Sequence, residues 1–298
     1  MNIRKILVPV DFSPNSMCAL RMATTIATQQ EAEIHLLYIH DHDYDLFKTD
    51  KNLNPLALPD YMKALAQLTR SVINDQKVFC SYSSDSGSIT NCILKTAIDL
   101  GISLIVIGKN GHTSTSSKYA GTHAYQVLEK SRIPVIVVPE TDSKFLFSNV
   151  LFPVRSLSTM GDKLKVLRPL IFRRASQVTL LSLCDPDHES DVQNNQQIME
   201  QTTMLLEKDK VRFTIEKCFK GDHFEDHVLD VINRYESQFD LLVITAETEK
   251  ANKHFHIDNY TQKIIHQCNV PVLVVHPGFT ETSKGNMLNI SERQMVAG

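Results

Sequence analysis

The chain repeats itself, and the repeat limits what it can fold into. Residues 5–13, KILVPVDFS, match residues 149–157, NVLFPVRSL, at an offset of 144, with Pro-Val in the same place. Residues 103–111, SLIVIGKNG, match 240–248, DLLVITAET, and residues 133–139, IPVIVVP, match 270–276, VPVLVVH. Both of these pairs lie 137 apart, so the second copy is shorter by the difference of seven residues in its middle. Two copies of one unit account for nearly the whole chain, whose 298 residues are long for one domain and comfortable for two. The expected domains are 1–142 and 146–277, joined through polar ETDSK, with 278–298 as a flexible tail.

Within the first copy strand and helix signals alternate. KILVPV, EIHLLYI, KVFCSYS, SLIVIG and IPVIVVP read as strands. NSMCALRMATTIATQQ carries apolar residues at helical spacing, with SPNS before it as a source of caps. A second helix starts near Pro59 with Leu65, Leu68 and Val72 on one stripe, and ITNCILKTAIDLG is a third, closed by Gly101. A fourth follows the loop after SLIVIG. Five strands and four helices in alternation demand parallel strands with right-handed crossovers. The continuous Val/Ile runs suit strands covered on both faces. The expected fold class is α/β: two tandem, doubly wound, open parallel sheets of five strands, with helices on both faces.

Ligands of such sheets bind beyond the carboxyl ends of the strands, where the winding direction switches. The polar loop GKNGHTSTSSKYAGTHA begins there, between two buried strands. Glycines let backbone approach a phosphate closely, and a helix N-terminus offers unpaired N–H groups to an anion. The loop is neither GxxxxGK[ST] nor GxGxxG, so it implies neither the usual P-loop machinery nor a dinucleotide fingerprint. Its pattern is Gly108-x2-Gly111-x9-Gly121-Thr122, and Asp11 ends the first strand.

This loop, with ILVPVDFS and the terminal PVIVV, resembles the universal stress protein family, and both copies share the likeness. The resemblance implies strand order 3-2-1-4-5 and an adenine nucleotide, ATP or ADP with Mg2+ as a candidate companion. The loop positions Gly108, Gly111, Gly121 and Thr122 would then hold phosphates. Asp11 would meet ribose hydroxyls or a phosphate-bound metal, the Ile39 backbone the adenine edge, and Pro9 would line the same wall. The competing role for Asp11 is a helix N-cap, which Ser13 could fill equally well. Lys109, Lys118 and the middle of the Ser/Thr run at 113–117 are expected to be solvated, with screening of phosphate charge the alternative for either lysine.

The second copy loses every position of the pattern. Asp11 becomes Arg155, Gly108 becomes Thr245, Gly111 becomes Thr248, and Gly121-Thr122 becomes Asp258-Asn259. Thr adds bulk where phosphate must approach, and Asp258 adds like charge. One nucleotide per chain is therefore expected. Of the twelve histidines, His40 and His42 fall in HDHDYD, His223 and His227 in DHFEDH, and His254 and His256 in HFH. The last four are zinc candidates for the vacant second crevice. HxxxH without the Glu is not the zincin motif, and solvated loops explain these histidines as well. No metal site is expected.

The net charge of −3 gives no basic footprint for nucleic acid. No apolar run approaches the roughly 18 residues of a membrane span, and the first, ILVPV, is too short for a signal peptide. Cys18, Cys80, Cys92, Cys184, Cys218 and Cys268 form no CxxC and read as small buried hydrophobes of a reducing compartment. The expectation is a cytoplasmic, ATP-binding regulatory protein with little or no catalysis. Slow ATP hydrolysis, and a nucleotide-free scaffold or metal-binding role, stand as alternatives. The two apolar fifth strands are expected to cover each other as a pseudo-dimer within the chain, with a homodimer of chains left open.

Overall fold

The computed structural model describes residues 2–40, 58–110, 122–141, 145–154, 160–171, 176–184, 189–219, 224–234, 238–246 and 259–276. The first half runs β1 (Lys5–Pro9), α1 (Pro14–Gln30), β2 (Glu33–His40), α2 (Leu58–Gln76), β3 (Cys80–Ser86), α3 (Ile89–Asp99), β4 (Leu104–Gly108), α4 (Thr122–Lys130) and β5 (Val135–Val138). The second half repeats the order. It runs β6 (Asn149–Val154), α5 (Met160–Leu167), β7 (Gln177–Cys184), α6 (Glu189–Lys208), β8 (Arg212–Phe219), α7 (Phe224–Arg234), β9 (Leu241–Thr245), α8 (Asn259–Gln267) and β10 (Val272–Val275).

The halves share one ten-stranded sheet, ordered β3-β2-β1-β4-β5-β10-β9-β6-β7-β8. Neighbours within each half are parallel, and only β5 and β10 are antiparallel. Val135 pairs with Val274, Ile136 with Leu273 and Val137 with Val272. Since these residues are equivalent at the offset of 137, the pairing is self-complementary, as at a two-fold axis. The expected pair of five-stranded sheets is thus continuous through its fifth strands.

Alternate strand residues feed two cores, one on each face. Ile6, Val8, Ile34, Leu36, Leu104 and Val106 pack with Ala19, Met22 and Ile26 of α1 and with Leu65 and Val72 of α2. Leu7, Leu37, Ile105 and Ile107 face the other way, onto Ile93 and Ala97 of α3 and Val127 and Leu128 of α4. The second half places α5 and α6 on the first face, and α7 and α8 on the other.

Local chemistry sets the element ends. Ser13 caps α1, accepting from Ser16 N at 3.2 Å, with Pro14 in the first turn. Gly101 closes α3 at φ 61°, and the Ile102 amide returns to the Ala97 carbonyl at 2.9 Å. β3 begins three residues later than its pattern suggests, at Cys80. Lys77 sits at φ 58° to end α2, and its counterpart Lys210 takes the same φ after α6. The buried thiols of Cys18, Cys80, Cys92 and Cys268 are free. Burial pushes Cys80 and Cys268 up to about 11, as for inert core thiols.

Two packing details carry expected outcomes. A Cβ on Gly108 would stand 2.8 Å from the Asn15 carbonyl carbon and 2.9 Å from its oxygen. The first turn of α1 can lie across the end of β4 only because residue 108 has no side chain. Gly108→Ala should cost about 1–3 kcal/mol of stability, the usual range for forced overpacking. Urea unfolding reads this, and an unchanged midpoint would refute the contact.

His35 is 7% exposed, with Nδ1 2.9 Å from Ser81 Oγ and Nε2 2.8 Å from Ser83 Oγ. Burial, and then the Lys5 charge, hold the ring below its ordinary 6.5. As pH falls through that value the unfolded chain takes up the proton first. The stability the neutral ring contributes is therefore complete above 6.5 and lost below it. His276, also lowered mainly by burial, acts in the same direction. Between about pH 7.5 and about 5 the wild type should lose stability more steeply than His35→Gln, by at most about 1.4 kcal/mol per pH unit. Equal slopes in denaturant titrations at several pH values would show that His35 titrates normally.

Candidate functional site

The site is built where the winding reverses. From β1 the chain steps through α1 and α2 on one face to the outer strands β2 and β3. It then returns through α3 on the other face to β4, on the far side of β1. The carboxyl ends of β2, β1 and β4 therefore lie side by side, with the helices that leave them on opposite faces. Four expected residues stand on these ends. Ile39 is the last residue but one of β2, Pro9 ends β1 with Asp11 two residues beyond it, Gly108 ends β4, and all four are half-buried. Thr122 opens α4, the helix after β4. Gly111 and Gly121 lie outside the described residues.

Asp11 is held in a fixed turn. Its Oδ1 accepts from the Ser13 amide at 3.0 Å and from the Ser13 hydroxyl at 2.5 Å. Ser13 is the residue that caps α1, and Ser16 Oγ donates back to the Ser13 carbonyl at 3.0 Å. Asp11 thus orients the cap instead of being the cap. Phe12, between the two, takes φ 61°, an uncommon conformation for a non-glycine residue. Its ring lies 6.1 Å from Tyr38 and 6.4 Å from Tyr61, and Tyr38 stacks on Tyr61 at 4.5 Å. This aromatic corner beside the strand ends is absent from the sequence reading. A tyrosine next to Ile39 at a strand end was the available signal, but Tyr61 joins it from a helix across an undescribed segment.

Gly108 has a second role here, in the close approach of Asn15 described above. Lys109 departs from expectation. Instead of being solvated it is half-buried, and its Nζ donates to the Cys268 carbonyl of the second half at 3.0 Å. Burial pulls its amine below the ordinary lysine value. Lys118 lies outside the described residues.

The matching corner of the second half is filled differently. Lys163 of α5 is 5% exposed and donates to the Pro153 carbonyl at 2.7 Å, with its amine 4.6 Å from the Phe152 ring centroid. Asn195 of α6 donates to the Val154 carbonyl at 3.1 Å and accepts from Ser182 at 2.7 Å. Pro153, Val154 and Ser182 are the counterparts of Pro9, Val10 and Tyr38 at the offset of 144. Thr245, at the place of Gly108, is buried. Buried polar groups tied to strand-end carbonyls thus replace the aromatic corner. Arg155, Thr248 and Asp258 lie outside the described residues, and Asn259 opens α8.

Among the described residues no three His, Cys, Asp or Glu side chains converge as metal ligands. His42, His223, His254 and His256 lie outside that set, and His227 is placed only as a backbone position in α7. No helix among the described residues is long and apolar enough to cross a membrane.

Comparison with known proteins agrees with this architecture. Residues 2–139 match the model of the universal stress protein family. Universal stress protein A of Photorhabdus laumondii is 26% identical over 149 residues, covering 48% of this chain and all of that protein. Universal stress protein YxiE of Bacillus subtilis is 24% identical over 151 residues, covering 45% of this chain and 97% of that one. The crystal structure of a universal stress protein from Archaeoglobus fulgidus has the fold of both halves: it covers 93% of this chain and 100% of its own, with a TM-score of 0.68 at 16% identity. The matched residues, 2–139, span the strand ends and the glycine pattern of the first half, and over them the chain is similar to the universal stress protein family.

Proposed function

We propose that this is a stress-response regulatory protein whose first domain, residues 1–142, binds one adenine nucleotide, ATP or ADP, with little or no turnover. The observation that carries the reading is the coincidence of two things at one place. Pro9, Asp11, Ile39 and Gly108 stand on adjoining strand ends at the winding switch, and the pattern Gly108-x2-Gly111-x9-Gly121-Thr122 starts from the same point. Asp11, already fixed by Ser13, offers a carboxylate to ribose hydroxyls or to a phosphate-bound Mg2+. The loop glycines and the start of α4 would take the phosphates.

The second half supports a single site. Its corner is occupied by its own Lys163 and Asn195, and the glycine positions carry larger or acidic residues. A nucleotide there would have to displace buried hydrogen bonds, and each buried polar group left unpaired costs about 1–3 kcal/mol. Regulation is favoured over hydrolysis because the loop lacks the GxxxxGK[ST] pattern of P-loop NTPases. Lys109, the nearest cation in sequence, is engaged by Cys268.

Calorimetric titration of nucleotide-stripped full-length chain with ATP and Mg2+ should give one site per chain. Asp11→Ala and Gly121→Val should each weaken it at least about tenfold, equivalent to about 1.4 kcal/mol. A phosphate-release assay on the same sample should show no steady turnover. Two equivalent sites, or binding that survives both substitutions and disappears with Arg155→Ala, would assign the nucleotide to the second half instead.

A further inference from the structure

Lys109 lies between the first two glycines of the loop pattern, and its two ends are held by different halves of the chain. Its amide donates to the Val138 carbonyl at 2.7 Å, fixing it to the end of β5. Its side chain leaves the first half, and Nζ donates to the Cys268 carbonyl. Cys268 continues the last turn of α8, its amide donating to the Ile264 carbonyl at 2.8 Å, and it is 1% exposed. Its carbonyl is one of those a helix end leaves without a partner, at the negative end of the helix dipole, where a cation is favoured.

The pseudo-symmetry supplies an internal control. Ala246, the counterpart of Lys109 at offset 137, donates its amide to the Val275 carbonyl at 3.0 Å, just as Lys109 does to Val138. Ser131, the counterpart of Cys268, closes α4 with the same bond to Val127 at 2.8 Å. The backbones repeat, but Ala246 has no side chain to cross with. The strut therefore runs one way, from the half that carries the glycine pattern to the half that has lost it. A half-buried lysine whose charge is partly desolvated costs stability unless its amine is well bonded, so this placement is specific.

We propose that Lys109 is a positioning residue for the nucleotide loop, held in place by the C-terminal turn of α8, so that the first half's site is complete only with the second half docked and its occupancy is felt at α8. This inference rests on the nucleotide reading above. Because binding coupling is reciprocal, a nucleotide that favours the Lys109–Cys268 contact is itself bound more tightly where that contact is made.

The test uses full-length chain, with ATP and Mg2+ as the probe and three variants: Lys109→Met, Lys109→Arg, and Lys130→Met as a control for loss of an exposed charge. Affinity is read by calorimetry, and hydrogen–deuterium exchange is followed in the segment 259–268. Lys109→Met should weaken ATP about five- to tenfold and abolish ATP-dependent protection of 259–268, while Lys109→Arg restores both in large part and Lys130→Met changes neither. A merely structural lysine would shift exchange without ligand but leave the ATP-dependent difference intact. Wild-type affinity together with wild-type protection in Lys109→Met overturns the inference alone. Should Lys109→Met not fold, the wild type still decides, because bound ATP that leaves 259–268 unprotected also overturns it. A wild type that takes up no ATP overturns the nucleotide reading and this inference together.

Discussion

Everything else in the molecule depends on the antiparallel pairing of β5 with β10. Each half ends on a strand of four buried residues, VIVV and VLVV. Alone, either would present an apolar edge with a row of unpaired backbone groups. Pairing removes both edges at once, because the strands are equivalents of each other and meet about a local two-fold axis. The consequence reaches the cores. Each of the two apolar clusters runs through both halves, one under α1, α2, α5 and α6, the other under α3, α4, α7 and α8. The outer strands β3 and β8 are left as the sheet edges, and beyond Cys80 the residues of β3 alternate half-buried and exposed.

Joining the two units in one chain lets their strand ends diverge while the shared frame persists. The backbone bonds of Lys109 and Ala246, and of Ser131 and Cys268, repeat across the offset of 137. The side chains do not. Gly108 admits the first turn of α1 to the end of β4, whereas a buried Thr245 stands at that position in the second half, and α5 is a helix of 8 residues where α1 has 17. Tyr38 gives way to Ser182, and a stack of rings gives way to hydrogen bonds through Asn195. In one half the strand-end residues Pro9, Asp11, Ile39 and Gly108 are half-buried, and in the other a buried lysine bonds the strand end. A difference of this kind is costly in a symmetric dimer, where one substitution acts at both sites.

Much of this was legible in the sequence because it is local or periodic. Strands written as Val/Ile runs, the stripe through Leu65, Leu68 and Val72, the Gly101 stop and the repeat itself all follow from spacing within a few residues or from self-similarity. The start of β3 was displaced because KVF looks apolar, yet Lys77 adopts the left-handed conformation that ends α2, and Phe79 stays 64% exposed. The choice between Asp11 and Ser13 as the cap needed coordinates, since both lie within reach of α1, and the two turn out to act in series. Contacts between the halves were not legible. Lys109 and Cys268 are 159 residues apart, and a lysine in a polar loop looks solvated until the helix end it serves is placed beside it.

The size of the Lys109 contact decides what kind of coupling it can carry. A cation on a helix C-terminus is worth about 0.3–1 kcal/mol when exposed and up to about 2 when partly buried. Coupling free energies between sites usually fall at about 1–3 kcal/mol. One half-buried strut therefore lies at the lower end of that range, enough for a several-fold effect and too little for an on–off switch. Larger changes would have to pass through the β5–β10 pairing, whose buried strands resist continuous deformation. A coupling of that size through one side chain is graded and acts equally in both directions between the halves.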